Sequence, residues 1–280
     1  MGTLPSWLSI ERNAAPLLVS VPHAGTAIPD GLAQTLASAW LARKDADWHV
    51  DQLYDFATQL GATVVRTPWS RTVIDVNRNP DGASLYPGMA TTGLCPTQTF
   101  DGEPLYGSGS SPTDAEISAR RTQFYDPYHL ALDGEVARLR ARHARVVVYD
   151  AHSIRSRVPA LFAGELPVFN VGTFDGRSCA PELTSAVMSV CTSSGQASVA
   201  NGRFKGGYIT RHYGAPASGV HALQMELACR AYLDEPDVLT EHNWPVSYDV
   251  ARASETRATL RRVLETCLQF AAAGAARGQP

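Results

Sequence analysis

The chain has 280 residues, 44% hydrophobic and 18% charged, as is typical of a globular protein with a sizeable core. Its formal net charge of −3 provides no bulk attraction for nucleic acid or for an anionic membrane. No apolar run is long enough for a membrane span, no secretory signal is recognisable, and five scattered cysteines lack CxxC spacing. We therefore expect a reduced, cytoplasmic protein without nucleic-acid or membrane partners; no pattern indicates its oligomeric state.

Strands and helices are predicted to alternate along the chain. Continuous apolar runs at 16–25 and 144–153 are typical of buried strands, and shorter runs predict two more at 62–67 and 71–77. Apolar residues at helical spacing predict helices over 45–62, 180–195 and 254–274, and two helices around Asp126-Pro127. This alternation predicts an α/β fold in which helices cover both faces of one sheet.

A long segment, 79–114, is rich in glycine, proline, serine and threonine. A loop of this length is either functional or disordered. It carries too much apolar surface for a free linker, at Tyr86, Leu94, Phe100, Leu105 and Tyr106. We therefore predict an ordered active-site loop within a single catalytic domain that spans 1–280.

Two histidines end the two long apolar runs. His23 follows the first run, and His152 ends the second in "VVVYDAHSIRS". Ligands of open α/β sheets collect beyond the carboxyl ends of the strands, so both imidazoles are candidate metal ligands. Asp150, two residues before His152 on the same strand face, is suited to orient that imidazole. Surface positions are expected for His129, His143 and His242.

Candidate carboxylate ligands are Asp47 and Asp51, four residues apart in the predicted helix 45–62. Asp47 lies nearer the apolar stripe of that helix, which favours it as the third ligand over a solvated position. His49 with Asp51 also imitates the two-histidine, one-carboxylate triad of non-haem iron(II) oxygenases. Because the two side chains would point about 200° apart on a helix, this alternative is disfavoured.

Polar residues cluster in "SRTVIDVNRNPD" (70–81), around the predicted strand 71–77. Arg71, Asp75, Asn77 and Arg78 all fall within eight positions. Arginine binds a carboxylate through two parallel hydrogen bonds, so the cluster suits recognition of an anionic substrate. From the residues alone, an internal salt bridge between Asp75 and an arginine is the favoured interpretation of the pattern.

The segment 204–233 contains an acid within an apolar run. Glu226 lies inside "ALQMELA", where a carboxylate needs a partner or a raised pKa. A buried glutamate of this kind is a candidate general base. Alternatively, Glu226 pairs with Arg230 four residues later on a helix.

Eight segments resemble, in chain order, the N-formylglutamate deformylase (N-formylglutamate amidohydrolase) family. They extend from about residue 15 to 235: "LLVSVPHAG", "DWHVDQLYDF", "SRTVIDVNRNPDG", "TTGLCPTQTFDGEPLY", "DAHSIRS", "LPVFNVGTFDG", "GGYITRHYG" and "LQMELACRAYL". Each segment alone is weakly specific, whereas eight in order are specific. This family is similar in fold to zinc carboxypeptidases and aspartoacylase, so the resemblance implies a mixed central sheet flanked by helices on both faces.

The resemblance further implies one Zn²⁺ ion bound by His23, Asp47 and His152. Relatives carry a His-x-x-Glu motif, whereas Thr26 stands at the glutamate position of this chain. The carboxylate ligand must therefore come from elsewhere, and Asp51 remains the alternative to Asp47.

By the same resemblance, Asn77 and Arg78 bind a substrate carboxylate, Arg71 polarises the scissile carbonyl and Glu226 transfers the proton. Arg211, between the glycines of "GGYITRHYG", is the candidate for a second substrate carboxylate. The implied reaction is hydrolysis of N-formyl-L-glutamate to formate and L-glutamate in histidine degradation. Another N-acyl amino acid amidohydrolase or a metallocarboxypeptidase could use the same centre.

Overall fold

The two long apolar runs form adjacent strands at the centre of a seven-stranded mixed sheet. The computed structural model describes residues 4–85, 88 and 91–273. Its strands are β1 (Ser9–Glu11), β2 (Leu17–Val21), β3 (Thr63–Arg66), β4 (Val146–Ile154), β5 (Phe169–Gly172), β6 (Ser198–Ala200) and β7 (Val220–Ala228). They are arranged in the order β1-β3-β2-β4-β7-β5-β6. Strands β3, β2, β4 and β7 run parallel, whereas β1 and β5 pair antiparallel with β3 and β7.

Helices cover both faces of this sheet. They are α1 (Asp30–Ala33), α2 (Leu41–Lys44), α3 (Val50–Leu53), α4 (Asp114–Arg120), α5 (Asp126–Arg140), α6 (Pro181–Ser193), α7 (Tyr208–Tyr213) and α8 (Val250–Ala273). Side chains of α6 and α8 pack against Leu17, Val19 and Tyr149 on one face. On the other face, α5 and α7 pack against Leu18 and Val148. The predicted mixed sheet between two helical layers is therefore confirmed.

Two predicted elements are wrong in form. The segment expected as one helix, 45–62, contains α3 and a 3-10 helix (Asp55–Leu60) separated at Tyr54, whose φ of −106° and ψ of 14° are not α-helical; α3 itself begins only after His49, which has a left-handed φ of 62°. The strand expected at 71–77 is a series of turns. All residues of this segment are buried, and Asp75 accepts hydrogen bonds from Arg71 Nη2 and from the backbone N–H of Asn77. The segment is therefore as buried as a core strand, but it belongs to none of the seven strands.

Other segments differ from expectation in their connections. The helices around Asp126-Pro127 are joined through a π-helix (Arg121–Tyr125) into one continuous stretch from α4 to α5. Residues 220–228, for which a helix was an alternative, form strand β7.

Within the described part of 79–114, no helix or strand occurs before α4, and Leu94, Phe100, Leu105 and Tyr106 are buried. Tyr86 lies outside the described residues. Among the helices of residues 4–273 that the structure describes, none combines the length and hydropathy required to cross a membrane.

Candidate active site

Three predicted ligands meet at the carboxyl edge of the central strands. His23 follows β2, His152 lies near the end of β4, and Asp47 belongs to the turn before α3. One ligand atom from each lies within 4.8 Å of the others, and all three side chains are buried. The three residues thus form a group able to hold one metal ion, called the His–Asp–His group below.

The Nδ1 atoms of both imidazoles face the Asp47 carboxylate. His152 Nδ1 lies 2.9 Å from Asp47 Oδ2, and His23 Nδ1 lies 3.7 Å from the same oxygen. His23 Nδ1 is buried and has no hydrogen-bond partner among the described residues. Leaving a buried polar atom unpaired is costly, whereas a cation between the two nitrogens and the carboxylate would satisfy all three. The donor set therefore fits a divalent metal.

The opposite ring nitrogens are each held by a second carboxylate. His23 Nε2 lies 2.7 Å from Asp75, and His152 Nε2 lies 2.9 Å from Asp150. In the neutral form of each imidazole, the form that binds a metal, such pairing places the proton on Nε2 and leaves the Nδ1 lone pair directed at the candidate metal position. Asp150 thus lies where the sequence predicted an orienting acid. The matching role of Asp75 was missed, because the two residues are 52 positions apart in the chain.

Burial and neighbouring charges shift the pKa values of His23, His152 and Asp47 in different directions. Burial and the Arg71 charge lower the pKa of His23, which favours its neutral, ligating form. Burial alone would lower the pKa of His152, but the negative charge of Asp150 and a hydrogen bond to Asp47 raise it well above its ordinary value. Burial would raise the pKa of Asp47, yet its hydrogen bond with His152 and nearby positive charge, including that of Arg71, lower it. Asp47 is therefore an ionised carboxylate, the form required of a ligand.

Asp47 is positioned by a turn instead of a helix face. Its backbone N–H donates to the His23 carbonyl at 3.0 Å, and Ser153 N donates to its Oδ2 at 3.2 Å. Asp51 borders a different surface depression with Gly25. The helical-face argument that favoured Asp47 is therefore wrong in its geometry, although Asp47 is the residue found in the group.

We expect Asp47→Ala to lose most bound metal while Asp51→Ala retains it. Only Asp47 contributes an oxygen to the His–Asp–His group, and its loss leaves two imidazoles without a charge-neutralising ligand. Zinc content of the two purified proteins, measured by elemental analysis after dialysis, distinguishes them. Greater metal loss in Asp51→Ala would transfer the role to that residue.

His49 does not join Asp51 at a metal position. Its Nε2 lies 2.9 Å from the Val246 carbonyl and its Nδ1 3.0 Å from the Gln52 side chain. Neither His49 nor Asp51 belongs to the group of possible ligands found within the described residues. The geometry therefore does not assemble the triad on which the oxygenase alternative depends.

A cavity, called the site cavity below, opens beside the His–Asp–His group. Its lining includes His23, His152, Glu226 and three arginines, Arg71, Arg78 and Arg203. Parts of the loop 79–114 also border it, through Thr91, Thr92 and Phe100. The site cavity therefore combines a candidate metal position, a carboxylate and several cations.

Glu226 lies on β7 directly across from His152 on β4. Burial raises its pKa to about 8. Gln224, on the same face of β7, donates its amide N–H to Glu226 Oε2 at 2.9 Å, while its oxygen accepts from Gly207 N at 2.7 Å. The alternative pairing with Arg230 is wrong, since Arg230 follows the strand and bonds Glu165 at 3.1 Å. The sequence contained a signal for Gln224 as the partner of Glu226, because residues two apart in a buried strand share one face.

Arg71 forms the internal salt bridge that the sequence left open. Its Nη2 donates to Asp75 Oδ2 at 2.7 Å, and its Nη1 lies 3.7 Å from Asp47. The Arg71 Nε is buried without a hydrogen-bond partner in the described part of the chain. Burial would raise the pKa of Asp75, but the charges of Arg78 and Arg71, together with a hydrogen bond from His23, hold it well below its ordinary value. Arg71 therefore both neutralises Asp75 and lines the site cavity.

Asn77 and Arg78 border the site cavity but have different surroundings. Asn77 Nδ2 donates to Asp150 at 2.9 Å, and its Oδ1 accepts from Ile209 N at 2.8 Å. A Cβ atom at Gly207 would collide with the Asn77 amide, which explains a glycine there. Arg78 donates through Nη2 to Thr92 Oγ1 at 2.9 Å. Asn77 thus helps to fix Asp150.

Arg211 is not among the described residues that line the site cavity. Its guanidinium donates to the carbonyls of Gly206 (2.9 Å) and Leu85 (2.6 Å) and lies over the Phe174 ring. Substrate binding by Arg211 stays a prediction that this position does not support.

The surface position expected for His129 is wrong, because this residue is buried and its Nε2 lies 2.8 Å from the Val76 carbonyl.

Fold and site together define a class of protein: an α/β protein with a buried imidazole–carboxylate group beside a glutamate. A model of the N-formylglutamate amidohydrolase family matches residues 15–233. N-formylglutamate deformylase from Pseudomonas putida is 45% identical over 95% of this chain and 97% of the relative. The Pseudomonas aeruginosa protein of the same name is 45% identical over 94% of this chain and 96% of its own.

Among solved structures, an N-formylglutamate amidohydrolase from Ralstonia eutropha JMP134 shares the fold with a TM-score of 0.78 and 24% identity. The match covers 96% of this chain and 100% of that protein. The chain therefore belongs to the N-formylglutamate amidohydrolase family of hydrolytic enzymes.

Proposed function

We propose that the chain is a metal-dependent amidohydrolase that cleaves N-formyl-L-glutamate to formate and L-glutamate. The observation that carries this proposal is a single cavity lined by two imidazoles, a glutamate of raised pKa and three arginines. Support also comes from relatives, 45% identical over nearly their whole length, whose name describes this activity.

His23, Asp47 and His152 would hold the metal, which we propose to be Zn²⁺ because zinc favours imidazole and carboxylate ligands. When bound, the ion would supply Lewis-acid chemistry that acidifies water and polarises an amide carbonyl. Asp75 and Asp150 keep both imidazoles in the ligating tautomer by accepting their Nε2 protons.

Glu226 is the proposed proton carrier. Its pKa of about 8 lies near neutral pH, where a carboxylate is an effective general base. It accepts a proton as the water oxygen bonds the formyl carbon, and returns that proton to the amine nitrogen as the C–N bond breaks. Arg71, whose Nε is buried without a partner among the described residues, is the proposed donor to the developing oxyanion.

The substrate anion requires cations besides the metal. We assign its α-carboxylate to Arg78, because a guanidinium can hold a carboxylate through two bonds and Arg78 borders the site cavity. Asn77 also borders the site cavity and is the proposed second contact, although its Nδ2 already lies 2.9 Å from both Asp150 Oδ2 and His152 Nε2.

We further propose that the reaction takes place in the cytoplasm, within one catalytic domain, as a step of histidine degradation. All five cysteines are buried free thiols, which is consistent with a reducing compartment. The pathway assignment rests on the proposed substrate.

Formate release from N-formyl-L-glutamate, together with the zinc content of the purified protein, tests the proposal. We expect N-formyl-L-glutamate to be cleaved with a higher kcat/KM than N-acetyl-L-glutamate or a peptide ending in glutamate. Chelation should abolish activity, and added Zn²⁺ should restore it. Preference for the acetyl or peptidyl compound would assign the same centre to another N-acyl amino acid amidohydrolase or a metallocarboxypeptidase.

A further inference from the structure

Three cations border the site cavity, but they come from different parts of the fold. Arg71 and Arg78 belong to the turn segment 71–78, and both approach Asp75, at 2.7 Å and 3.7 Å. Arg203 comes from the loop between β6 and α7 and therefore approaches the cavity from another element. A substrate with two carboxylates could thus be held by cations from two separate segments.

Apolar side chains connect the His–Asp–His group with Arg203. Ile154 lies two residues after His152 on the same face of β4, about 7 Å further along the strand. Ile154, Phe100, Leu161 and Phe204 belong to one apolar cluster, and all four line the site cavity. This wall suits the two methylene groups that separate the α-carbon of glutamate from its side-chain carboxylate.

Arg203 is anchored at the end of this wall. Its Nε donates to the Leu161 carbonyl at 2.7 Å, and its guanidinium lies 5.3 Å from the centre of the Phe204 ring. An arginine fixed through Nε keeps its terminal nitrogens in a defined plane, which lowers the entropic cost of binding a carboxylate. Arg211, the candidate suggested by sequence, is held instead on Gly206 and Leu85.

We infer that Arg203 is a specificity-determining residue that binds the side-chain carboxylate of the substrate. This inference rests on the proposed function, and it adds the residue that distinguishes a formylated acidic amino acid from a neutral one. With the α-carboxylate at Arg78, the methylene groups lie along Ile154 and Phe100, and the second carboxylate reaches Arg203.

The test compares N-formyl-L-glutamate with N-formyl-L-glutamine, which has the same shape without the second charge. In Arg203→Ala, kcat/KM for N-formyl-L-glutamate should fall about tenfold to a hundredfold, the usual loss for one charge-assisted contact. Activity on N-formyl-L-glutamine should stay within a few-fold of wild type, which also shows that the variant is folded. Arg203→Lys keeps the charge without the planar fork, so its kcat/KM for N-formyl-L-glutamate should lie between those of wild type and Arg203→Ala.

Arg157→Ala is the matched control, because this arginine is 70% exposed and bonds Glu165 outside the site cavity. It should leave the glutamate-to-glutamine preference unchanged. Equal losses on both substrates in Arg203→Ala and Arg203→Lys would overturn the inference, and a collapse of the preference in Arg211→Ala alone would assign the role to Arg211. If wild type releases formate from neither substrate, the proposed function fails and the inference with it. If wild type prefers N-formyl-L-glutamate and Arg203→Ala keeps that preference, only the inference about Arg203 is refuted.

Discussion

Replacing His152 with alanine is expected to remove nearly all bound zinc and nearly all formate release. His152 Nδ1 is 2.9 Å from Asp47, and its Nε2 is held by Asp150. Alanine would leave two buried carboxylates facing each other without the imidazole between them, and the metal would lose one of three protein ligands. The same loss is expected for His23→Ala, since His23 contributes the other Nδ1. Elemental analysis and a formate assay on each variant measure both effects.

His49→Ala is the matched control for these variants. His49 lies close to Asp47 in sequence, but it bonds the Val246 carbonyl outside the His–Asp–His group. We expect it to retain zinc and activity, apart from any loss of stability. Stoichiometric zinc in either His23→Ala or His152→Ala would refute the ligand assignment.

Glu226→Gln should retain zinc but lower kcat by about two to four orders of magnitude, the usual range for a lost acid–base group. Glutamine has nearly the same size and can still bond Gln224, but it cannot accept a proton from water. Single-turnover measurements with zinc-loaded protein separate this loss from weaker binding.

Stability provides the folding control for Glu226→Gln. A buried carboxyl whose pKa is raised from 4.5 to about 8 weakens the metal-free folded state progressively as pH rises between those values. Glutamine has no proton to lose, so the metal-free variant should be at least as resistant to urea as wild type at pH 8. Glu165→Gln, which alters an acid bonded to Arg157 and Arg230, should leave turnover unchanged. Turnover of Glu226→Gln within a few-fold of wild type would make Glu226 a structural residue.

Local patterns in the sequence were sufficient to predict the central strands and to identify the two histidines as site candidates. The runs that became β2 and β4 are unbroken and rich in valine, a composition that few structures other than a buried strand accommodate. A residue at the end of such a strand lies at the carboxyl edge of the sheet, and this does not depend on how the rest of the chain is arranged. Residue type and position had already made Glu226 and Asp47 candidates, and the family resemblance assigned roles to them and to Arg71; the structure brings all three to the same site.

Tertiary structure decided the remaining features, because they depend on contacts between segments distant in the chain. Asp47 is held by the His23 carbonyl and not by a helix, and Asp75 meets His23 through turns that resemble a strand in sequence. Glu226 faces the site only because β7 pairs with β4, a register that no local pattern specifies. Arg203 and Arg211 are eight positions apart and chemically identical, yet only Arg203 lines the site cavity. Amino-acid type and spacing identify residues suited to bind an anion, whereas the packing of the loop after β6 determines which arginine lines the site cavity.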